Sequence, residues 1–127
     1  MKHTLLFPLL SAAMLVSTPV FAGAGHDHGP KYGGIAREVA SVTYELVARP
    51  NALTLHVSDH GKPVSTQGAR AEVALYAGNE KTVVPLEPAG ENLLLAKGNF
   101  KVGVGVRAAV TVTLAGKPPA QAIFNLK

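Results

Sequence analysis

Seven of the chain's histidines and carboxylates are candidate metal ligands, and they fall into two groups. His26-Asp27-His28 sits in a glycine-rich stretch near the N-terminus, while Glu45, His56, Asp59 and His60 lie further along in strand-like sequence. Imidazole and carboxylate are borderline-to-hard ligands, suited to Zn(II), Cu(II), Ni(II) or Co(II). The chain has no Cys, and both methionines, Met1 and Met14, precede residue 22. Beyond that point there is no sulfur ligand, which weighs against a soft Cu(I) or Ag(I) site. Two histidines at i and i+2 on a glycine-rich segment chelate weakly by themselves, or serve only as a solvated spacer. A tight site would need further ligands from the folded part.

The spacing of the second group makes a testable geometry. Leu53, Leu55 and Val57 alternate with Thr54, His56 and Ser58, the period of a strand with one buried face. Val42, Tyr44, Leu46 and Ala48 alternate in the same way, and Pro50-Asn51 between the two runs reads as a tight hairpin turn. Pairing Arg49 with Ala52 places Glu45 opposite His56, both on the outer, wet face. That pair is either a plain cross-strand contact or two ligands, or a ligand with the group that orients it. A register slip of two residues would keep the faces and separate the pair. Asp59 and His60 fall in a turn with Gly61 and Pro63, where Asp59 can accept backbone N–H groups. His56 and His60 would share a face on a helix, but on a strand running into a turn they do not.

The elements that must position these residues are all strands. Residues 35–40 form a short first strand, followed by the hairpin just described. A strand of alternating Ala69, Ala71, Val73 and Leu75 follows the 61–68 loop, and Gly78-Asn79 turns the chain. Residues 81–87 form a strand whose internal Pro85 calls for an edge position. Leu93-Leu94-Leu95 is a short apolar strand, buried on both faces or lying at a crossover. In residues 100–106, Phe100, Val102, Val104 and Val106 alternate with Lys101, Gly103 and Gly105, and the glycines suggest a bulge or a close backbone approach. Residues 108–115 give the cleanest strand, and residues 120–126 close the sheet. No window outside the N-terminal apolar run has helical periodicity. Seven or eight antiparallel strands at turn-punctuated spacing indicate an all-β domain over residues 35–127, an immunoglobulin-like β-sandwich, with a small closed barrel as the alternative.

The N-terminus reads as an export signal. Lys2 and His3 precede an apolar run over residues 5–16, and Ser17-Thr18-Pro19 breaks it. Val20-Phe21-Ala22 then offers small residues for cleavage after residue 22, with Ala22-Gly23-Ala24 allowing cleavage after residue 24. The apolar run falls short of the roughly 20 residues of a spanning helix, so no membrane insertion is expected once it is removed. Residues 23–34 would form a flexible Gly/His arm whose end, Tyr32-Gly33-Gly34, can dock at the first strand. Cleavage after Ala24 would place the new amine beside His26, where amine and imidazole could chelate together. The chain carries a formal net charge of +4, but its lysines and arginines are scattered among acids with no aromatic-interleaved stripe, so no nucleic-acid footprint is expected. No Ser, Thr or Lys sits in an activating motif, no Gly-rich loop leads from a strand into a helix, and the rigid part does not supply the three fixed ligands of a catalytic zinc. A non-enzymatic role is expected.

Several short motifs carry a resemblance. His26-Asp27-His28-Gly29 with Tyr32-Gly33-Gly34, then Tyr44-Glu45-Leu46-Val47, then Asp59-His60-Gly61-Lys62-Pro63-Val64, following a signal peptide, resemble a family of small bacterial periplasmic proteins with an immunoglobulin-like sandwich. The chain is also similar to the N-terminal domain of some periplasmic adaptor subunits of heavy-metal efflux pumps, which share a His-Gly-Gly entry and a Y-E-L-V strand. Here four residues separate His28 from Gly33-Gly34. The resemblance implies a periplasmic location, a link to transition-metal handling or resistance, and a metal-efflux pump component as partner. It implies no catalytic activity.

Overall fold

The computed structural model describes residues 29–127. The expected signal segment and His26-Asp27-His28 lie outside the described residues. Within them the chain forms nine β-strands and no helix. β1 (Ile35–Val39), β2 (Val42–Arg49) and β3 (Ala52–Asp59) make two successive hairpins, and β4 (Lys62–Pro63) folds back on the end of β3. β5 (Arg70–Ala77), β6 (Glu80–Pro88), β7 (Leu93–Lys97), β8 (Arg107–Thr113) and β9 (Ala120–Asn125) follow. All pairings are antiparallel, in the order β1-β2-β3-β7-β6-β5-β8-β9, with β4 off this path.

The path curls nearly to closure, like a barrel. Its two ends, β1 and β9, run side by side, and the Arg37 guanidinium donates from Nε to the Ile123 carbonyl across the seam at 3.1 Å. β6 makes the turn between the two halves. Residues 80–86 pair with β5, whereas Glu87 and Pro88 pair with Leu95 and Leu94 of β7. Pro85, opposite Glu72, therefore sits where β6 has a neighbour on one side, the edge position that its missing N–H requires.

The core follows the period-two pattern. Leu53, Leu55 and Val57 of β3, Val73 of β5, Val110 of β8 and Phe124 of β9 are all fully buried, joined by Leu46, Leu86 and Leu94. At about 25 cal/mol per Å² of apolar surface, this single aliphatic cluster is the main term holding a disulfide-free domain together. The expected hairpin register holds: Arg49 pairs with Ala52, Leu46 with Leu55, and Glu45 with His56.

Three local expectations need revision. The outer face of β2 is not wet: Thr43, Glu45 and Val47 are buried along with Tyr44 and Leu46. Residues 100–106 are no strand but a loop between β7 and β8. Gly103 and Gly105 there take φ of 124° and 93°, the Val106 N–H bonds the Gly103 carbonyl at 3.1 Å, and Val104 is 88% exposed. Positive φ at alternate glycines breaks the ladder that the Phe/Val alternation mimics. The first strand, expected over residues 35–40, ends at Val39, because the chain turns into β2 at Ala40-Ser41 with φ of 52° and 70°. That two-residue turn carries none of the usual Gly, Asn or Asp.

Candidate functional site

The site grows from the central pair of the β2–β3 hairpin. The register that buries Leu46 against Leu55 puts Glu45 and His56 directly opposite each other on the outer face. A carboxylate in that position is costly to cover unless donors meet it, and the N-terminal segment supplies them. Glu45 Oε1 accepts the Lys31 backbone N–H at 2.6 Å. Oε2 accepts those of Tyr32 and Gly34, each at 2.8 Å. Glu45 is consequently only 4% exposed. These are charge-assisted bonds, the stronger class of hydrogen bond.

The sequence of the covering segment suits this task residue by residue. The Tyr32 ring stacks on His56, with centroids 3.7 Å apart and planes 8° from parallel. Gly33 takes φ of +86°, a conformation that glycine adopts without steric cost. Gly34 lies so close to β2 that a Cβ there would sit inside the Leu46 carbonyl oxygen. Tyr32-Gly33-Gly34 is thus a docking motif of one stacking ring, one turn and one close approach. Residues 31–34, expected as part of a flexible arm, are fastened to the barrel.

His56 pays for this cover. Its Nδ1 is buried and has no hydrogen-bond partner among the described residues. Burial pushes the imidazole pKa below its usual value of 6.5, and the Glu45 charge opposes that shift without cancelling it. With no acceptor at Nδ1, we assign the neutral ring's proton to Nε2.

A second pair stands at the end of β3. His60, in a left-handed conformation with φ of 52°, precedes Gly61 at 83°. This tight turn reverses β3 into β4, with Asp59 opposite Lys62. His60 Nδ1 lies 2.5 Å from Asp59 Oδ1, and both side chains are about half exposed. A carboxylate behind an imidazole fixes ring orientation and tautomer, the arrangement usual behind metal-binding histidines. Lys31 spans the two pairs. Its backbone N–H is on Glu45, and its ammonium lies 3.6 Å from where a Cβ on Gly61 would be.

The structure therefore gathers the four folded-domain candidates as two pairs, Glu45 with His56 and Asp59 with His60. Among the described residues no group of three or more His, Cys, Asp or Glu side chains is placed to hold a metal ion. His26, Asp27 and His28 are outside the described residues. Sequence reasoning anticipated the Glu45–His56 pairing and a docked Tyr32-Gly33-Gly34, but did not connect them. The signal was there: an outward carboxylate opposite a histidine, and a Tyr-Gly-Gly run shortly upstream. In comparisons with protein-family models, curated proteins and solved structures, nothing matched this chain.

Proposed function

We propose that this chain is a non-catalytic periplasmic metal-binding accessory protein, exported by a cleavable signal, that binds or buffers a divalent transition ion in connection with heavy-metal efflux. His26 and His28, with Asp27 beside them, take the ion together with His60, whose ring Asp59 orients. Glu45 and His56 anchor the segment and do not ligate. The observation that carries this reading is the fastening of residues 31–34 by Glu45 beside the Asp59–His60 turn. Two residues, Gly29 and Pro30, separate His28 from Lys31. At roughly 3.3–3.6 Å per extended residue, the three steps from Lys31 to His28 span no more than about 11 Å. The chain leaving Lys31 is thus short enough to keep His28 near the turn that Lys31 reaches. We also assign the barrel-like sheet to an immunoglobulin-like two-layer arrangement. In its favour, β6 is the strand shared between a β1-β2-β3-β7 half and a β5-β8-β9 half.

Calorimetric titration with Zn(II) and Cu(II) tests the reading, on the chain from residue 23, on a version lacking residues 23–30, and on His60→Ala. Stoichiometric submicromolar binding that both variants weaken is the expected result. A bound dication would repel the Lys31 ammonium from the turn, so Lys31→Met should tighten binding. Binding in the tens of micromolar that ignores His60→Ala would sink the shared site.

A second reading, a protein-interaction module, draws on one specific observation. Val83, Ala74, Ala109 and Ile123 form a continuous apolar row across the outer face of β6, β5, β8 and β9, with Val83 49% and Ile123 41% exposed. Metal-independent capture of a pump component, lost in Val83→Asp/Ile123→Asp, would favour that reading.

A further inference from the structure

The contacts of residues 31–34 divide by protonation state. Glu45 holds three backbone N–H groups, which needs the carboxylate charged. His56 lies flat under Tyr32 with an orphaned Nδ1, which needs the imidazole neutral. A proton added to His56 would produce a second N–H at Nδ1. That donor has no acceptor among the described residues in the closed arrangement, and a buried unmet donor, here on a cation, is costly. There are two ways to relieve it. Tyr32 can lift so that water reaches the ring, or Glu45 can swing to the imidazolium and abandon the amides it holds. Either one dismantles the contact.

We propose that residues 31–34 form an acid-opened clasp, in which protonation of His56 releases the Tyr32 ring and the three amides held by Glu45 and so frees the N-terminal arm from the barrel. The clasp does not depend on the metal reading, because none of its contacts involves an ion. If the arm does bind metal, the clasp would regulate that site by moving the arm's root away from His60.

The groups facing His56 are few. Glu45 opposes it from β2 and is the charge that acts on it. β7 presents Leu93, which is apolar. Thr54 and Ser58, its neighbours on the outer face of β3, do not titrate in this range. The covering segment brings the Tyr32 ring and, one residue earlier, Lys31, whose ammonium is at Gly61. The sign follows from where the proton is bound more weakly. The closed clasp holds the imidazole pKa below 6.5, and the open form returns it toward that value. Closure is therefore complete above about pH 6.5. It weakens as pH falls from there toward the depressed value, by up to about tenfold in the closing constant per pH unit. Below the depressed value this contribution is fully lost.

The test is amide exchange and ring titration by NMR on ¹⁵N-labelled protein from pH 8 to pH 5, with a chelator present so that metal plays no part. The expected result is that protection of the Lys31, Tyr32 and Gly34 amides falls in step with the His56 ring titration, while core amides such as Leu55 stay protected. His56→Phe keeps a stacking surface for Tyr32 and cannot titrate, so its clasp should stay closed across the same range. Loss of protection in His56→Phe over the wild-type window overturns the proposal. So does a His56 titration that leaves the three wild-type amides unchanged. Should His56→Phe fail to close even at pH 8, the wild-type curves decide: coincident midpoints support the clasp and separate midpoints refute it. Because no metal is present, this outcome is independent of the calorimetry.

Discussion

Two outer faces of the same barrel, built on the same alternation, meet different fates. On one, the cross-strand row runs Ala36, Glu45, His56, Leu93 over β1, β2, β3 and β7. On the other it runs Val83, Ala74, Ala109, Ile123 over β6, β5, β8 and β9. The first is covered by the chain's own N-terminal segment, and the second stays open. The difference lies in the middle of each row. A carboxylate offers several acceptor positions that nearby backbone N–H groups can fill, so it selects and fixes a particular covering segment. Two alanines offer no directional partner. The neighbouring row on the open face, Lys81, Tyr76 and Arg107, satisfies itself: both cations lie over the Tyr76 ring, at 5.8 and 4.9 Å from its centroid.

Breaking the covered face should cost much more than breaking the open one. Glu45→Ala strands three amides and removes the anchor. Because residues 31–34 can then detach and hydrate, the loss should be limited to roughly 2–3 kcal/mol, read as a lower midpoint in urea and as exchange at Lys31, Tyr32 and Gly34. Gly34→Ala forces a methyl into the Leu46 carbonyl. About 1–3 kcal/mol is expected, the range for overpacking. Gly33→Ala meets open space but a left-handed φ, so its cost should stay near 1–2 kcal/mol. If the two alanine variants behaved alike, close approach would not be what Gly34 supplies. Tyr32→Ala removes the stacked ring, half exposed as it is, for about 0.5–1.5 kcal/mol. It should also raise the His56 pKa toward its ordinary value by letting water in, which a histidine titration would show. On the open face, Val83→Thr with Ile123→Thr should leave folding stability within about 0.5 kcal/mol. A larger loss would mean that this row is covered after all.

Much of this contrast could be read from the residues. The period-two pattern names the inward set Leu53, Leu55, Val57, Val73 and Val110, and Pro50-Asn51 pins the register that opposes Glu45 to His56. Pro85 announces its own edge. The illegible parts have specific causes. Ala40-Ser41 turns tightly with no Gly, Asn or Asp at its two left-handed positions, because the hairpin pairing around it imposes positive φ on residues that do not ask for it. The Phe/Val alternation in residues 100–106 imitates a strand, yet the positive φ of Gly103 and Gly105 turns the backbone out of any ladder. Thr66 reads as a loop residue. It is fully buried, its hydroxyl 3.1 Å from the Leu93 carbonyl and its N–H on the Glu91 carbonyl.

The sequence by itself determined most of the strands, which side of the long ones faces inward, and which residues stand opposite one another in the β2–β3 hairpin, because those follow from local alternation and turn chemistry. Only the tertiary structure decided that the outer face of β2 is buried, that Glu45 is an anchor for the chain's own backbone, and that His56 is left with an unmet nitrogen under Tyr32. Burial of an outward-facing side chain depends on what else packs over it. Here that is a segment over ten residues away in the chain, held by hydrogen bonds from backbone groups that every residue but proline carries and that no side-chain pattern records.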